Sequence, residues 1–126
     1  MNYIIDTHVL IWRFVEPSRL SQKQKIIFKK ETNQFLVPSM SLLEVQYLTE
    51  IGRVKLEMGD FLIALKNQDN FSIASFDEGI LLHSLKLTSN RDPFDRVILA
   101  HALATSTKIL TRDRWMKETA AHLVID

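Results

Sequence analysis

The chain has 126 residues, of which 46% are hydrophobic, and this size and composition suit one domain with a substantial buried core. It contains no cysteine, which excludes disulfide bonds and thiolate zinc sites and fits a reducing cytosol. The 16 Lys and Arg residues nearly balance the 15 Asp and Glu residues, so the net charge of +1 is by itself uninformative about a partner. Because Asp6 and His8 interrupt the first apolar run, we expect no signal peptide, and no later stretch is apolar enough to span a bilayer. We therefore expect a single cytoplasmic domain covering residues 1–126.

The first half of the chain alternates predicted strands with predicted helices. A run of β-forming residues ends abruptly at Asp6, which is typical of a buried strand that leads into a loop. Pro17 and Gly52 are stop signals for helices, and Ser21 is a candidate N-cap. The predicted elements are strands at 2–5 and 35–37 and helices at 9–15, 18–30, 39–51 and 58–66.

The second half continues the alternation. Asp92 is a candidate N-cap, and Pro93 then occupies the first position of a strongly apolar helix. The segment RDRW after the strand KILT is expected to be a loop. The predicted elements are a short edge strand at 71–75, helices at 77–87 and 94–104, and strands at 108–111 and 122–125. Alternating strands and helices predict a three-layer α/β/α fold with a central, mostly parallel sheet of four to five strands.

Three acidic residues occupy special places in this predicted sheet. Asp6 follows the first strand, Asp113 lies just past the strand KILT, and Glu44 lies in the helix entered directly from the second strand. Ligands of open parallel sheets bind outside the carboxyl ends of the strands. We therefore expect these carboxylates to converge at one edge.

Glu44 and a fourth acid, Asp95, each lie within an apolar stripe of a predicted helix. The stripe neighbours are Met40, Tyr47, Leu48 and Ile51 for Glu44, and Ile98, Leu99 and Ala102 for Asp95. Buried carboxylates that lie close together destabilise a fold unless they are protonated or neutralised by a cation. Because the candidate ligands are all oxygens, we predict Mg²⁺ or Mn²⁺ rather than zinc. With these four acids set aside, about five net positive charges remain to attract a polyanion.

Each acid also has a purely structural interpretation. Glu44 and Ser41 have the spacing of a capping box, and Asp95 could simply complement the dipole of its helix. Asp6 and Asp113 could be ordinary turn residues. Since all four interpretations would have to hold together, we favour the shared metal site.

Four segments carry a family resemblance. YIIDTHVLIW, SMSLLEV, RDPFDRVILAHAL and ILTRDRW resemble, in order, the acidic motifs of PIN-domain nucleases, particularly the VapC-like toxins of toxin–antitoxin pairs. The likeness spans nearly the whole chain. By this resemblance the metal-binding acids are Asp6, Glu44, Asp95 and Asp113, with Thr7 and Thr111 as the small polar residues beside them.

The chain departs from the family pattern at two positions. Asn90 stands where many relatives have a histidine before RDPFDR, so the support of this loop is expected to differ from theirs. Trp115 stands where an acid often follows the fourth carboxylate, so we expect no fifth acidic ligand there. Trp115 itself could belong to the core or stack on a base.

The resemblance implies a PIN-like fold and a Mg²⁺-dependent endoribonuclease that cleaves RNA phosphodiester bonds. One or two metal ions would activate water for in-line attack on the scissile phosphate. It also implies an antitoxin that caps the acidic groove and a homodimer built on apolar helical surface. The sequence does not identify the RNA.

Other side chains near the acids have open roles. Arg96, Arg112 and Arg114 flank the acids and are candidate clamps for the RNA backbone, with solvent-facing charge as the alternative. His8 could line the site or serve the first helical turn. His101 lies six residues after Asp95 and should face away from the metal.

Two alternative functions remain at this point. A PIN-like protein-binding module could retain a vestigial metal site, although the complete set of acidic motifs disfavours this. Phosphoryl transfer through an aspartyl-phosphate would require a second acid near Asp6, where Thr7 and His8 stand instead.

Overall fold

A sheet of five parallel strands forms the centre of the computed structural model, which describes residues 1–126. The strands are β1 (Asn2–Ile5), β2 (Gln34–Pro38), β3 (Phe71–Ala74), β4 (Lys108–Leu110) and β5 (Val124–Ile125). Their order is β3-β2-β1-β4-β5, and every neighbouring pair is parallel. This arrangement confirms the predicted α/β fold with a central parallel sheet.

Seven α-helices connect and cover the strands. They are α1 (Thr7–Val15), α2 (Gln22–Lys29), α3 (Ser39–Glu50), α4 (Met58–Lys66), α5 (Glu78–Ser84), α6 (Pro93–Thr105) and α7 (Arg114–Thr119). The expectation of a loop at RDRW was wrong, because Asp113 caps a short helix there. Gly52 follows α3 with a φ of 78°, a left-handed conformation that glycine adopts without strain. None of the helices combines the length and the apolar character needed to cross a membrane.

The sheet is buried on both faces by two hydrophobic clusters. Successive side chains of a strand point to opposite faces, so Ile5 and Leu110 join one cluster while Ile4 and Ile109 join the other. The first cluster lies under α1 and α3, and the second lies under α6 and α7. Helices therefore cover both faces, which gives the three-layer architecture.

The register of the central strands places the candidate acids at one edge. Ile5 of β1 pairs with Leu110 of β4, so Asp6 and Thr111 follow side by side at the carboxyl ends of these strands. The Asp6 amide donates to the Leu110 carbonyl at 3.1 Å, which extends the pairing by one residue. On the other side of β1, β2 ends at Pro38 and α3 starts at the next residue.

Candidate active site

Asp6 is the most buried of the acids at this site, at 5% exposure. It caps α1, where one carboxylate oxygen accepts from the Thr7 amide at 2.7 Å and the other accepts from the Thr111 hydroxyl at 2.6 Å. Burial raises the pKa of Asp6 to about 6, against the lowering effect of these two hydrogen bonds. The charge of Glu44 raises this pKa further, whereas His8 lowers it.

Glu44 points inward from α3 and is only 8% exposed. The capping box that would explain it structurally is not formed, because α3 has no side-chain cap and the Ser41 hydroxyl donates to the Ile5 carbonyl instead. Burial, followed by the charges of Asp92 and Asp113, raises the pKa of Glu44. The neighbouring Thr7 hydroxyl opposes this increase, although it is fully buried and forms no well-aligned hydrogen bond.

Asp95 projects from the first turn of α6. Its carboxylate accepts a hydrogen bond from the Asn90 side-chain amide at 3.2 Å. The pKa of Asp95 is raised to about 7, chiefly by burial and then by the charges of Asp92, Asp113 and Asp6. Its position near the start of a helix is therefore not a sufficient explanation, because the same carboxylate also lies among several others.

Asp113 completes the predicted quartet. It caps α7 by accepting from the Met116 amide at 2.8 Å, and its own amide donates to the Thr111 hydroxyl at 3.0 Å. Thr111 therefore uses its single proton toward Asp6 and its lone pair toward the Asp113 backbone. This one buried hydroxyl fixes two of the acids relative to each other.

All four predicted acids line one groove of about 1230 Å³, and Asp92 and Glu16 line it as well. Asp92 is the predicted N-cap of α6, where it accepts from the amides of Phe94 and Asp95. One carboxylate oxygen each from Glu44, Asp92 and Asp95 lies within 4.8 Å of the others. The sequence identified Asp92 only as an N-cap, although its position three residues before Asp95 is compatible with this proximity.

The chemistry of this cluster suits a hard divalent cation. Its donors are carboxylate oxygens, the ligand type that Mg²⁺ and Mn²⁺ prefer. Burial and mutual repulsion raise the pKa values of Asp6, Glu44 and Asp95, so their charged forms are unfavourable without a counter-charge. A cation at the centre of the group would remove that penalty.

The three candidate arginine clamps have different environments. Arg112 is exposed and lines the groove, and its guanidinium donates a long hydrogen bond of 3.5 Å to the Arg19 carbonyl. Arg96 differs from the expectation, because its guanidinium donates twice to the Ser84 carbonyl, at 2.9 and 3.3 Å, and so ties α5 to α6. Arg114 pairs with Glu118 on the exposed side of α7 and does not line the groove. Of these three arginines, only Arg112 lines the groove.

The histidines and tryptophans also lie in different environments. His8 is exposed on the groove wall beside Trp12, with their ring centroids 6.1 Å apart. His101 is buried at 3% exposure outside the groove, as predicted, and burial lowers its pKa. Trp115 is half-buried against the second cluster, and its indole N–H donates to the Ser89 hydroxyl at 2.8 Å.

The groove is also lined by apolar and basic side chains. Apolar residues of α1, of α3 and of the segment after α3 form part of its wall, and three basic side chains line it as well. The apolar walls comprise Ile11, Val15, Leu48, Ile51 and Val54, and the basic residues are Arg19, Arg53 and Lys55. The lining is thus mixed, since basic and apolar side chains accompany the carboxylates and Arg19 lies 3.9 Å from Glu16.

Comparisons with known proteins agree with this architecture. The family model described as PIN domain matches residues 3–122. Ribonuclease VapC22 of Mycobacterium tuberculosis is 24% identical over 116 residues, which cover 90% of this chain and 88% of the relative.

Two solved structures show the same fold at low sequence identity. A chain in the crystal structure of DNA-bound VapBC from Salmonella typhimurium is 16% identical, with a TM-score of 0.75 over 100% of this chain and 98% of that one. A chain of VapBC2 from Rickettsia felis, bound to a promoter DNA fragment, is also 16% identical, with a TM-score of 0.73 over 99% and 98% of the two chains. Because the family match extends over almost the whole sequence and the acidic groove lies within it, this chain belongs to the PIN domain family.

Proposed function

We propose that this protein is a Mg²⁺- or Mn²⁺-dependent endoribonuclease that acts as the toxin of a toxin–antitoxin pair in the cytoplasm. The observation that carries the proposal is the convergence of Asp6, Glu44, Asp95 and Asp113 on one groove from four separate parts of the chain. The name of the relative, Ribonuclease VapC22, supports RNA as the substrate class.

The four acids would hold the cation, with Asp92 as an additional carboxylate beside Glu44 and Asp95. When bound, Mg²⁺ supplies Lewis-acid activation of water and of the scissile phosphate. The chain itself supplies orientation: the Thr111 hydroxyl and the Thr7 amide fix both oxygens of Asp6. Since Asp95 has a pKa of about 7, part of the site is protonated near neutrality and cation binding would release protons.

The groove offers a polyanion basic side chains as well as the acidic site. Arg19, Arg53 and Lys55 line the same groove as the acids. Phosphates that flank the cut would bind to these side chains and to Arg112, which directly precedes Asp113. Such contacts position the RNA without reading its sequence, so they leave the choice among tRNA, rRNA and mRNA open.

The direct test is incubation of the purified protein with total RNA, with and without EDTA, followed by mapping of the cut ends. Asp6→Asn and Asp95→Asn should abolish cleavage, whereas Asp69→Asn, at an exposed loop position, should cleave like the wild type. Cleavage that persisted in EDTA and in both site variants would refute the metal-dependent mechanism.

An antitoxin is the second part of the proposal. The similar solved structures are described as VapBC complexes, which supports a protein partner of the same kind. An amphipathic segment with acidic residues would fit the apolar walls and the basic side chains of the groove. Ile51→Asp, on the groove wall, should prevent co-purification with the co-expressed antitoxin while leaving Mn²⁺ binding intact. Unchanged co-purification would place the partner elsewhere.

A homodimer is the third part. Leu81, Leu82 and Leu85 on and just after α5 are 42%, 54% and 55% exposed, which gives this helix an apolar outer surface outside the groove. Burying it against a second copy is the arrangement that we propose. Leu82→Asp should convert the dimer to a monomer in sedimentation analysis, and a wild-type monomer at high concentration would refute the dimer.

The alternative of a protein-binding module with a vestigial site makes an opposite prediction about metals. A functional site should give a higher melting temperature with Mg²⁺, and Asp6→Asn should abolish that increase. The aspartyl-phosphate alternative is disfavoured because Asp6 is 5% exposed and both of its oxygens are engaged in hydrogen bonds.

A further inference from the structure

The loop 85–92 between α5 and α6 is joined to the acidic site by two side chains at which this chain departs from the family pattern. The Trp115 indole N–H donates to the Ser89 hydroxyl at 2.8 Å. Asn90, the next residue, donates from its side-chain amide to the Asp95 carboxylate at 3.2 Å. The two departures therefore meet at neighbouring residues of one loop.

The Asn90 amide group acts on the site through both of its ends. Its oxygen accepts from the Asp92 backbone amide at 2.9 Å, which forms a local turn just before α6. Its nitrogen donates to Asp95, so one planar group fixes the loop and orients the carboxylate. Because the amide is neutral at every relevant pH, this contact does not depend on the protonation of the donor.

Trp115 fixes the other side of the same loop. It lies in α7, two residues after Asp113, and its ring is half-buried against the second hydrophobic cluster. The bond to Ser89 therefore attaches the loop to the helix that Asp113 caps. A continuous series of contacts runs from α7 through Ser89 and Asn90 to Asp95.

We propose that Asn90 is a positioning residue that holds Asp95 in the orientation required for cation binding, and that Trp115 supports it through Ser89. The role in cation binding depends on the proposed function, whereas the contacts themselves do not. Neither side chain lines the groove, so neither is expected to touch the substrate.

Two variants separate the contacts. Asn90→Ser keeps a short oxygen that can accept from the Asp92 amide but cannot reach Asp95. Trp115→Phe keeps an aromatic ring against the cluster but removes the N–H donor. Asn67→Ser, at the exposed end of α4, is the matched control, and Asp95→Asn sets the upper limit of the effect.

The measurement is the Mn²⁺ dissociation constant by isothermal titration calorimetry without RNA, together with the melting temperature in EDTA. Asn90→Ser should weaken Mn²⁺ binding about tenfold, as loss of a group that orients a metal ligand does. Trp115→Phe should weaken it less, and the double variant should resemble Asn90→Ser because both contacts act along one path. The melting temperature of metal-free Asn90→Ser should stay close to that of the control.

Unchanged Mn²⁺ affinity in Asn90→Ser would overturn the proposal. A decrease in Mn²⁺ affinity that is accompanied by an equivalent loss of thermal stability in EDTA would overturn it as well. If the losses of Mn²⁺ affinity in the two single variants multiply in the double variant, the two contacts act independently and Trp115 does not act through Asn90. If these effects on Mn²⁺ binding appear but no RNA is cleaved, the proposed function fails and the positioning role stands. If RNA is cleaved and Asn90→Ser binds Mn²⁺ normally, the proposed function stands and the positioning role fails. A wild-type protein that binds no Mn²⁺ would refute both.

Discussion

Replacing Asp6 with asparagine should stabilise the metal-free protein at alkaline pH. The pKa of Asp6 is about 6 in the folded protein, against an ordinary value of 3.8 for an aspartate in the unfolded chain. Between these values the folded protein retains a proton that the unfolded chain has lost, so the stability of the metal-free protein decreases as the pH rises through this window. The difference between the two pKa values corresponds to about 3 kcal/mol for this fully buried group.

Asparagine removes that ionisation penalty but keeps only part of the hydrogen bonding. Its carbonyl oxygen can still accept from the Thr7 amide, whereas its amide nitrogen cannot accept from the Thr111 hydroxyl, a loss of about 1 kcal/mol. Asp6→Asn should therefore be about 2 kcal/mol more stable than the wild type at pH 8, or about 6–10 °C in melting temperature. Below pH 5 this advantage should vanish, because the wild-type carboxyl is then protonated.

The assay is thermal unfolding in EDTA at several values between pH 4 and pH 8, a range that spans the window between the two pKa values. Asp69→Asn is the control for removing an exposed carboxylate, and its curve should run parallel to that of the wild type. Equal pH slopes for Asp6→Asn and the wild type would refute the assignment of the penalty to Asp6. Added Mg²⁺ should reverse the order at pH 8, since only the wild type retains the full set of ligands.

Three further predictions concern the residues around the acids. Thr111→Val removes the hydrogen-bond donor to Asp6, so it should raise the pKa of that carboxyl and lower the free energy of unfolding at pH 8 by about 1–3 kcal/mol, measured by urea titration. An unchanged free energy of unfolding would show that this hydrogen bond does not stabilise the fold. Arg96→Ala should lower the free energy of unfolding by about 1–2 kcal/mol, because the hydrogen bonds to Ser84 are lost, and should leave the salt dependence of RNA binding unchanged. A weaker salt dependence would show instead that Arg96 contacts an RNA phosphate. Arg112→Ala should reduce the slope of log affinity against log salt concentration by about 0.7, the contribution of one phosphate contact on a single strand. An identical slope would show that Arg112 does not contact the RNA.

The four acids could be predicted because each carries a signal that survives without coordinates. Asp6 and Asp113 directly follow strands, and the carboxyl ends of parallel strands must share an edge. Glu44 lies next to buried positions of α3, where a carboxylate needs a partner. Topology and helical periodicity therefore determine the convergence.

The surroundings of the acids could not be predicted in the same way. Arg96 is next to Asp95 in sequence, yet its guanidinium binds Ser84, a contact that exists only because α5 packs on α6. Asp92 was identified as an N-cap, and nothing in a capping pattern tells whether the second oxygen faces other acids. The helix α7 has only six residues, too few for a recognisable hydrophobic period.

Three of the acids also start helices, since Asp6, Asp92 and Asp113 cap α1, α6 and α7. Asparagine is as good an N-cap as aspartate, whereas alanine at such a position costs about 1 kcal/mol. The positive ends of three helix dipoles therefore point toward the anionic groove and partly balance its charge before any cation arrives. Loss of charge at these positions should leave a folded, inert protein, while loss of the side-chain oxygen should weaken the scaffold itself.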